Sequence, residues 1–385
     1  MTRVADDLSI YLVCGRVTAK PEPGLTHVGR ALDDAVAAER LGFRRVWLSE
    51  RFDLKDAGAL LAGAAARTTR LGIGTGALAS SSRHPLLAAS FGATMHALYG
   101  PRFVLGLGRG VPLFDMAELK IAELLEYART VRSLWRGECV KWHSPGRSPV
   151  ELKTIDVLGD IPEPEIWYCT YGLPKAAKAA VDPVFDGVML YPFLTVEAVG
   201  AAVARIRRAC EESGRDPSSL HICHPTVVAA ELDDLTTRAY AHARAVTYLQ
   251  WPGHGEALTR ANGWDQSPLR PLREHRQFHA MDQPTADQSF HRAQLMEPAS
   301  FIPDDWMEES CALGTVEHCV SRLREYREAG ADEIAVYAST PDENARLIQA
   351  WLDEGATGRP RTAAPEWPHL HDSGVMPTTA GPVGP

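Results

Sequence analysis

The chain has 385 residues, 45% of them hydrophobic and 23% charged, with a formal net charge of −9. These proportions are ordinary for a globular protein, and the acidic balance argues against nucleic-acid binding, which needs basic surface to displace counterions from phosphates. Apolar runs break well short of the ~20 residues that span a bilayer, and Met1 to Asp7 lacks a signal-peptide core, so no membrane association and a cytoplasmic location are expected.

Leu8 to Cys14 is a short apolar run that predicts strand one. In His27 to Leu41, Val28, Ala31, Leu32, Ala35, Ala38 and Leu41 recur at helical spacing, and Gly42 stands where a left-handed residue ends a helix. Arg45 to Ser49 is strand two and the Ala- and Leu-rich Asp56 to Arg67 is helix two. Arg70 to Leu78 is strand three, Pro85 to Leu98 helix three with Pro85 at its first position, and Arg102 to Leu107 strand four. Asp115 to Trp135 is helix four, and Gly137 to Pro164 reads as a hairpin-like excursion.

The alternation then returns. Glu165 to Thr170 is strand five, Pro174 to Val181 helix five, Val184 to Leu190 strand six, and Thr195 to Ser213 helix six with Thr195 as N-cap. Leu220 to Ala230 is strand seven. Residues 232–312 are too long for a simple connection and predict an insertion, a place for a lid or a partner surface. A helix from Gly314 to Ala329, strand eight from Glu333 to Ala338 and a last helix from Asp342 to Leu352 complete the pattern.

Strands separated by helices imply a parallel sheet with right-handed crossovers, and eight of them close a barrel. The expected fold is α/β, a (β/α)8 TIM barrel forming one domain over residues 1–355, with insertions after strand four and around the seventh unit. Residues 356–385, rich in Pro, Gly, Thr and Ala without period, predict an irregular tail. The seven cysteines are scattered without a C-x-x-C pair, which suits reduced thiols. His221-Ile-Cys223-His224 lies in a strand whose alternate side chains face opposite ways, so a structural role is expected there rather than a metal site.

In such a barrel the ligand site lies at the carboxyl ends of the strands. Four places stand there. Ser49-Glu50-Arg51-Phe52-Asp53 offers a carboxylate for proton transfer and a guanidinium for an anion, or simply a rim ion pair. Gly72-Ile-Gly74-Thr-Gly76-Ala77 and Gly106-Leu-Gly108-Arg109-Gly110 lack the third glycine of a dinucleotide fingerprint, but their clustering suits close approach of a flat ligand. Ser80 to Pro85, with Arg83 and His84, is an anion pocket or a capping loop. Gly172-Leu-Pro174-Lys175 is an anion pocket at a helix start or a plain turn.

With these residues in view, the chain resembles the luciferase-like flavin and deazaflavin oxidoreductases across most of residues 8–340. The resemblance rests on Ala38-Glu39-Arg-Leu-Gly42-Phe43 through Trp47 and Glu50, on Gly76 with Arg83-His84-Pro85, and on Gly100-Pro-Arg102 through Gly110. Tyr171-Gly172-Leu-Pro174, Phe185-Asp186-Gly187, Gly314-Thr315-Val-Glu317 and Ala329-Gly330-Ala-Asp332 extend it. It implies a non-prolyl cis peptide at Gly76-Ala77 behind the cofactor ring and a phosphate-binding turn at Gly172 to Lys175.

Members of that family usually carry an acid followed by His after strand two; here Glu50 is followed by Arg51, a poor general acid or base. The proton role then falls to Glu50 or His84, while Arg51 binds an anionic substrate or stabilises a reduced ring. Deazaflavin-dependent sugar-phosphate dehydrogenases of the class place an acid after the strand-four glycines; here Val111 follows Gly110, so that activity is not carried over.

The resemblance implies either coenzyme F420, an 8-hydroxy-5-deazaflavin that performs hydride transfer, or FMN in a two-component monooxygenase served by a separate flavin reductase. Arg51, Arg83 and Arg109 suit a polyanionic cofactor tail and favour the deazaflavin. A homodimer acting on a small-molecule substrate is implied. A cofactor-free or flavin-storage binding barrel is the reading of a different class, supported by the missing His.

Overall fold

The computed structural model describes residues 3–13, 28–51, 55–112, 116–143, 148–281 and 285–354. The expected strand end at Cys14, the helix starts at His27 and Asp115, Phe52 and Asp53, and the tail 356–385 lie outside the described residues.

The strands are β1 (Leu8–Tyr11), β2 (Arg45–Leu48), β3 (Gly72–Thr75), β4 (Leu78–Ala79), β5 (Phe103–Gly108), β6 (Val140–Trp142), β7 (Val150–Leu152), β8 (Glu165–Thr170), β9 (Gly187–Leu190), β10 (His221–Ala230), β11 (Ala312–Gly314) and β12 (Glu333–Tyr337). Because helices connect successive barrel strands, neighbours run parallel. The order β1-β2-β3-β5-β8-β9-β10-β12 closes on itself through β12 and β1, which is the expected eight-stranded barrel. The excursion after strand four is an antiparallel hairpin of β6 and β7. The run expected as strand three is divided: β3 ends at Thr75, the Gly76-Ala77 peptide is cis, and β4 resumes the pairing with β5.

Around the barrel lie α1 (Arg30–Leu41), α2 (Ala57–Arg67), α3 (Pro85–Tyr99), α4 (Ile121–Trp135), α5 (Pro174–Ala180) and α6 (Val196–Ser213). The insertion is helical, with α7 (Asp234–Tyr240), α8 (His242–Leu249), α9 (His254–Asn262), α10 (Leu269–Arg273), α11 (Ala286–Ser289) and α12 (Asp304–Ser310), and it ends in β11, which adds to β10. Then α13 (Val316–Glu328) and α14 (Ala345–Glu354) complete the ring. The end signals act as read: Gly42 is left-handed at φ 96°, and Thr195 accepts the amide of Ala198. Among the described residues no helix is long and apolar enough to cross a membrane.

The amino ends of the strands are plugged. Trp47 and Trp167 pack 5.1 Å apart in the barrel interior, with the Arg45 guanidinium over both rings. Arg45 lies 3.4 Å from the fully buried Glu333 carboxylate, which His221 also meets at 3.2 Å. Side chains at Gly74 and Gly187 would collide with those indole rings, so both glycines make room for the plug. His224, on the opposite face of β10 from Cys223, packs 4.5 Å from Tyr326 of α13. The His221 to His224 segment is therefore split between barrel interior and helix layer.

Candidate active site

With one end plugged, the open end of the barrel holds a cavity of about 260 Å³ at the carboxyl ends of the strands. Strand ends supply Tyr11, Glu50, Arg51, Gly76, Ala77, Gly108, Arg109, Met189, Tyr191 and Tyr337, and the insertion supplies Arg244, Thr247, Tyr248, Trp251, His254 and Asp287.

The β3–β5 wall is small and flat. A Cβ on Gly108 would stand 3.4 Å from the methyl of Ala77, so the two positions form a shallow surface without a projecting side chain. The chain at Gly76-Ala77 is held from behind: Ser49 donates to the Gly76 carbonyl at 2.7 Å and the Glu50 amide to the Ala77 carbonyl at 3.1 Å. The Glu50 carboxylate, 3% exposed, accepts from Arg83 at 2.8 Å, from the Ala79 amide at 2.9 Å and from Ser82 at 3.2 Å. It clamps the loop between β4 and α3.

Across the mouth, the wall formed by β12 and α8 is polar. Arg244 Nε donates to the Tyr337 hydroxyl at 2.8 Å and Nη2 donates to the same oxygen. The Tyr337 and Tyr248 hydroxyls share a hydrogen bond at 3.3 Å, and Arg244 Nη2 also donates to Tyr248 Oη at 3.4 Å. Burial pushes the Tyr248 phenol well above its ordinary pKa, so it stands as a neutral donor, with the Arg244 charge opposing that rise. Arg244 also binds Asp287 at 2.9 Å, and Asp287 pairs with Arg51. Burial alone would raise the Asp287 pKa, but Arg244, Arg51 and Arg292 hold it well below the usual carboxylate range.

Aromatic rings line the β8–β9 side. Tyr171 and Tyr191 stack 4.2 Å apart, and His254 stacks on Trp251 at 4.3 Å, with burial lowering its pKa and keeping the imidazole neutral. Burial pushes the Cys169 thiol up to about 12, which leaves it protonated.

Of the residues singled out from sequence, Ser49, Glu50, Arg51, Gly76, Ala77, Gly108, Arg109 and Gly110 meet at this cavity. Gly74, Arg83, His84, Gly172, Pro174 and Lys175 do not line it. His84 is exposed and caps α3 through Nδ1, so its placement gives no support to a proton role. Glu50 reaches the wall, but with both oxygens engaged it serves as a clamp rather than a free base. Gly74 belongs to the plug, one layer below. Arg83 sits behind Glu50 and pairs also with Asp56 at 2.9 Å. Gly172 packs against Ala202 of α6, Pro174 opens α5, and Lys175 is exposed; this turn touches the cavity lining through the Tyr171–Tyr191 stack. Nor are Arg51, Arg83 and Arg109 spare cations for an anionic tail, since each has a carboxylate partner: Asp287, Glu50 and Glu118. Sequence reasoning missed Tyr248, Tyr337, Arg244, Asp287 and His254; only Tyr337, the last residue of β12, carried a positional signal.

The family model described as luciferase-like monooxygenase matches residues 10–333. The phthiodiolone/phenolphthiodiolone dimycocerosates ketoreductase of Mycobacterium tuberculosis is 24% identical over 282 residues, 68% of this chain and 68% of that protein. Among solved structures, the coenzyme F420-dependent tetrahydromethanopterin reductase of Methanopyrus kandleri matches with a TM-score of 0.66 and 19% identity, over 90% of this chain and 97% of that one. The FMN-bound oxygenating constituent of 3,6-diketocamphane monooxygenase from Pseudomonas putida matches with a TM-score of 0.62 and 16% identity, over 90% and 96%. A barrel closed in this order, a site at its carboxyl end and a family match over most of the chain agree, and the chain belongs to the luciferase-like monooxygenase family of oxidoreductases.

Proposed function

We propose that this oxidoreductase transfers a hydride between coenzyme F420 and the carbonyl or carbinol carbon of a small organic substrate. The observation that carries this reading is the Tyr248 hydroxyl: a neutral phenol in the cavity lining, hydrogen-bonded to Tyr337 and Arg244, across the cavity from the small-residue wall of Ala77 and Gly108. The residues present fit a flat ring, because Ala77 and Gly108 leave the β3–β5 wall shallow, and a side chain at Gly76 would collide with Tyr11 and Met189 of the lining.

When bound, the deazaflavin supplies a ring carbon that gives or takes a hydride and does not activate oxygen. Tyr248 Oη gives its proton to the substrate oxygen as that oxygen gains charge, and takes it back in the reverse direction. Tyr337 and Arg244 hold Tyr248 and favour the charge left on it. Glu50 and Arg83 hold the loop that carries the ring-facing wall. The turn at Gly172, Pro174 and Lys175 would hold the cofactor phosphate. The names of the ketoreductase and of the F420-dependent reductase support hydride chemistry at a carbonyl or related carbon.

Separate titrations of the purified protein with F420 and with FMN test the reading by fluorescence quenching. Micromolar or tighter binding of F420 alone, weakened by Lys175→Ala, is the expected result. Selective FMN binding would replace it with the two-component monooxygenase reading that the Pseudomonas putida structure favours, with a flavin reductase as partner. Binding of neither would favour the cofactor-free barrel.

A further inference from the structure

Two ring stacks meet at the β8–β9 side of the cavity. Tyr191, the residue after β9, lies against Tyr171 with ring centroids 4.2 Å apart, and Trp251 lies against His254 at 4.3 Å, each pair within 14° of parallel. His254 joins the stacks edge-on, 6.1 Å from Tyr191, and shares a hydrogen bond with the Tyr171 hydroxyl at 3.5 Å. Tyr171 is buried behind this wall, whereas Tyr191, Trp251 and His254 line the cavity. The Trp251 segment is fixed from outside: its carbonyl accepts from the Gly255 amide at 3.0 Å, and Arg273 donates to the Gln250 carbonyl at 3.1 Å while pairing with Glu256. All three lining rings are uncharged, since burial raises the Tyr191 pKa and lowers that of His254. The charged side chains of the same lining are taken up in ion pairs, Glu50 with Arg83, Arg109 with Glu118, and Asp287 with both Arg51 and Arg244. Rigid, neutral rings beside paired charges favour a flat, uncharged ligand, because stacked or edge-to-face contact adds to the burial of apolar area.

We infer that the wall of Tyr191, Trp251 and His254 is a subsite for an aromatic ring of the substrate, carried beside the reacting carbonyl or carbinol carbon. Tyr248 and Trp251 lie three residues apart in the chain and both line the cavity, so a carbonyl attached to a ring on this wall comes within reach of the Tyr248 hydroxyl. The inference rests on the hydride-transfer reading for the identity of the reacting carbon, but the aromatic subsite itself does not depend on the cofactor. A cofactor ring has the same stacking chemistry. The position argues for substrate: the aromatic wall hangs on β8, β9 and the start of α9, whereas the shallow wall of Ala77 and Gly108 belongs to β3–β5. A cofactor ring seated on the shallow wall leaves the aromatic one for whatever meets its open face.

The test is equilibrium binding of two ketones of like size to the purified full chain, acetophenone and its saturated counterpart cyclohexyl methyl ketone, followed by ligand-observed NMR with and without saturating F420. The expected result is acetophenone binding about fivefold tighter than the saturated ketone, a preference that F420 leaves intact and that Trp251→Leu reduces to within about twofold. The ratio of the two affinities separates ring contact from general damage, because a loosened cavity weakens both ketones alike. If Trp251→Leu does not fold, Tyr191→Leu carries the same comparison from the other stack. Failure of the parent to bind acetophenone, equal binding of the two ketones, or an unchanged ratio in the variant overturns the subsite. Displacement of acetophenone by F420 reassigns the wall to the cofactor ring and overturns the substrate assignment. Failure of F420 to bind, with the preference for acetophenone intact, removes the hydride-transfer reading and leaves the subsite standing.

Discussion

Tyr248 takes its importance from its place in the cavity lining, where its neutral hydroxyl meets both Tyr337 and Arg244. Tyr248→Phe keeps the ring over which the Arg244 guanidinium lies at 5.0 Å and removes the hydroxyl that meets Tyr337 and Arg244. We expect turnover to fall by about 10²-fold, the scale of a positioned acid, with F420 affinity within twofold of the parent. Turnover within threefold would end the role of Tyr248. On the opposite wall, a Cβ at Gly108 meets only ordinary contacts, so Gly108→Val should fold, yet its methyl groups would occupy the ring's place. Cofactor affinity should drop by about tenfold or more at nearly unchanged melting temperature; unchanged affinity would show that the ring lies elsewhere. Both sites also mark what could be read from residues alone. Gly76 and Gly74 face the same way along one strand, but a step of two residues, roughly 6.6 Å, separates the cavity from the plug. Periodicity reports direction and not depth, so Gly74 was grouped with its neighbour. Tyr248 and Arg244 were invisible because a helix face turned to a cavity has the same pattern as one turned to a core.

At the scale of elements, the loop between β4 and α3 depends on one buried carboxylate. Glu50 accepts from Arg83, Ala79 and Ser82, and glutamine in its place would lose the charge-assisted bond while leaving the Arg83 charge partly buried. We expect Glu50→Gln to lower stability by about 2–4 kcal/mol in urea denaturation. The pH profile of its turnover should keep the parent shape, since the carboxylate clamps and does not transfer protons. A profile that loses one limb would restore the catalytic reading. The element sequence itself was largely legible, because strand and helix periods differ and Gly42, Pro85 and Thr195 mark ends with specific backbone demands. The cis peptide at Gly76-Ala77, implied by the family resemblance, is present and held by Ser49 and Glu50; what escaped was local, β11, three residues whose pairing with β10 is set by tertiary contact.

For the whole molecule, two groups on different faces of the barrel set how stability varies with pH. His224, sealed between β10 and α13 with neither ring nitrogen bonded, is pushed by burial down to about 3. Between about 6.5 and 3 the unfolded chain binds the extra proton, so this contribution to stability is complete above about 6.5 and is lost as pH falls. Asp34, on α1 at the seam with α14 where the last unit meets the first, behaves oppositely. Burial, then the charges of Asp342, Asp33 and Glu343, raise its pKa to about 7. Between about 4 and 7 the folded chain holds the proton, so folding loses stability as pH rises through that window. Asp34→Asn abolishes the ionisation without changing the side-chain shape. Its melting temperature should therefore exceed the parent's at pH 8 and match it at pH 4. An equal gain at both pH values would mean that asparagine acts through packing and that Asp34 carries no buried charge.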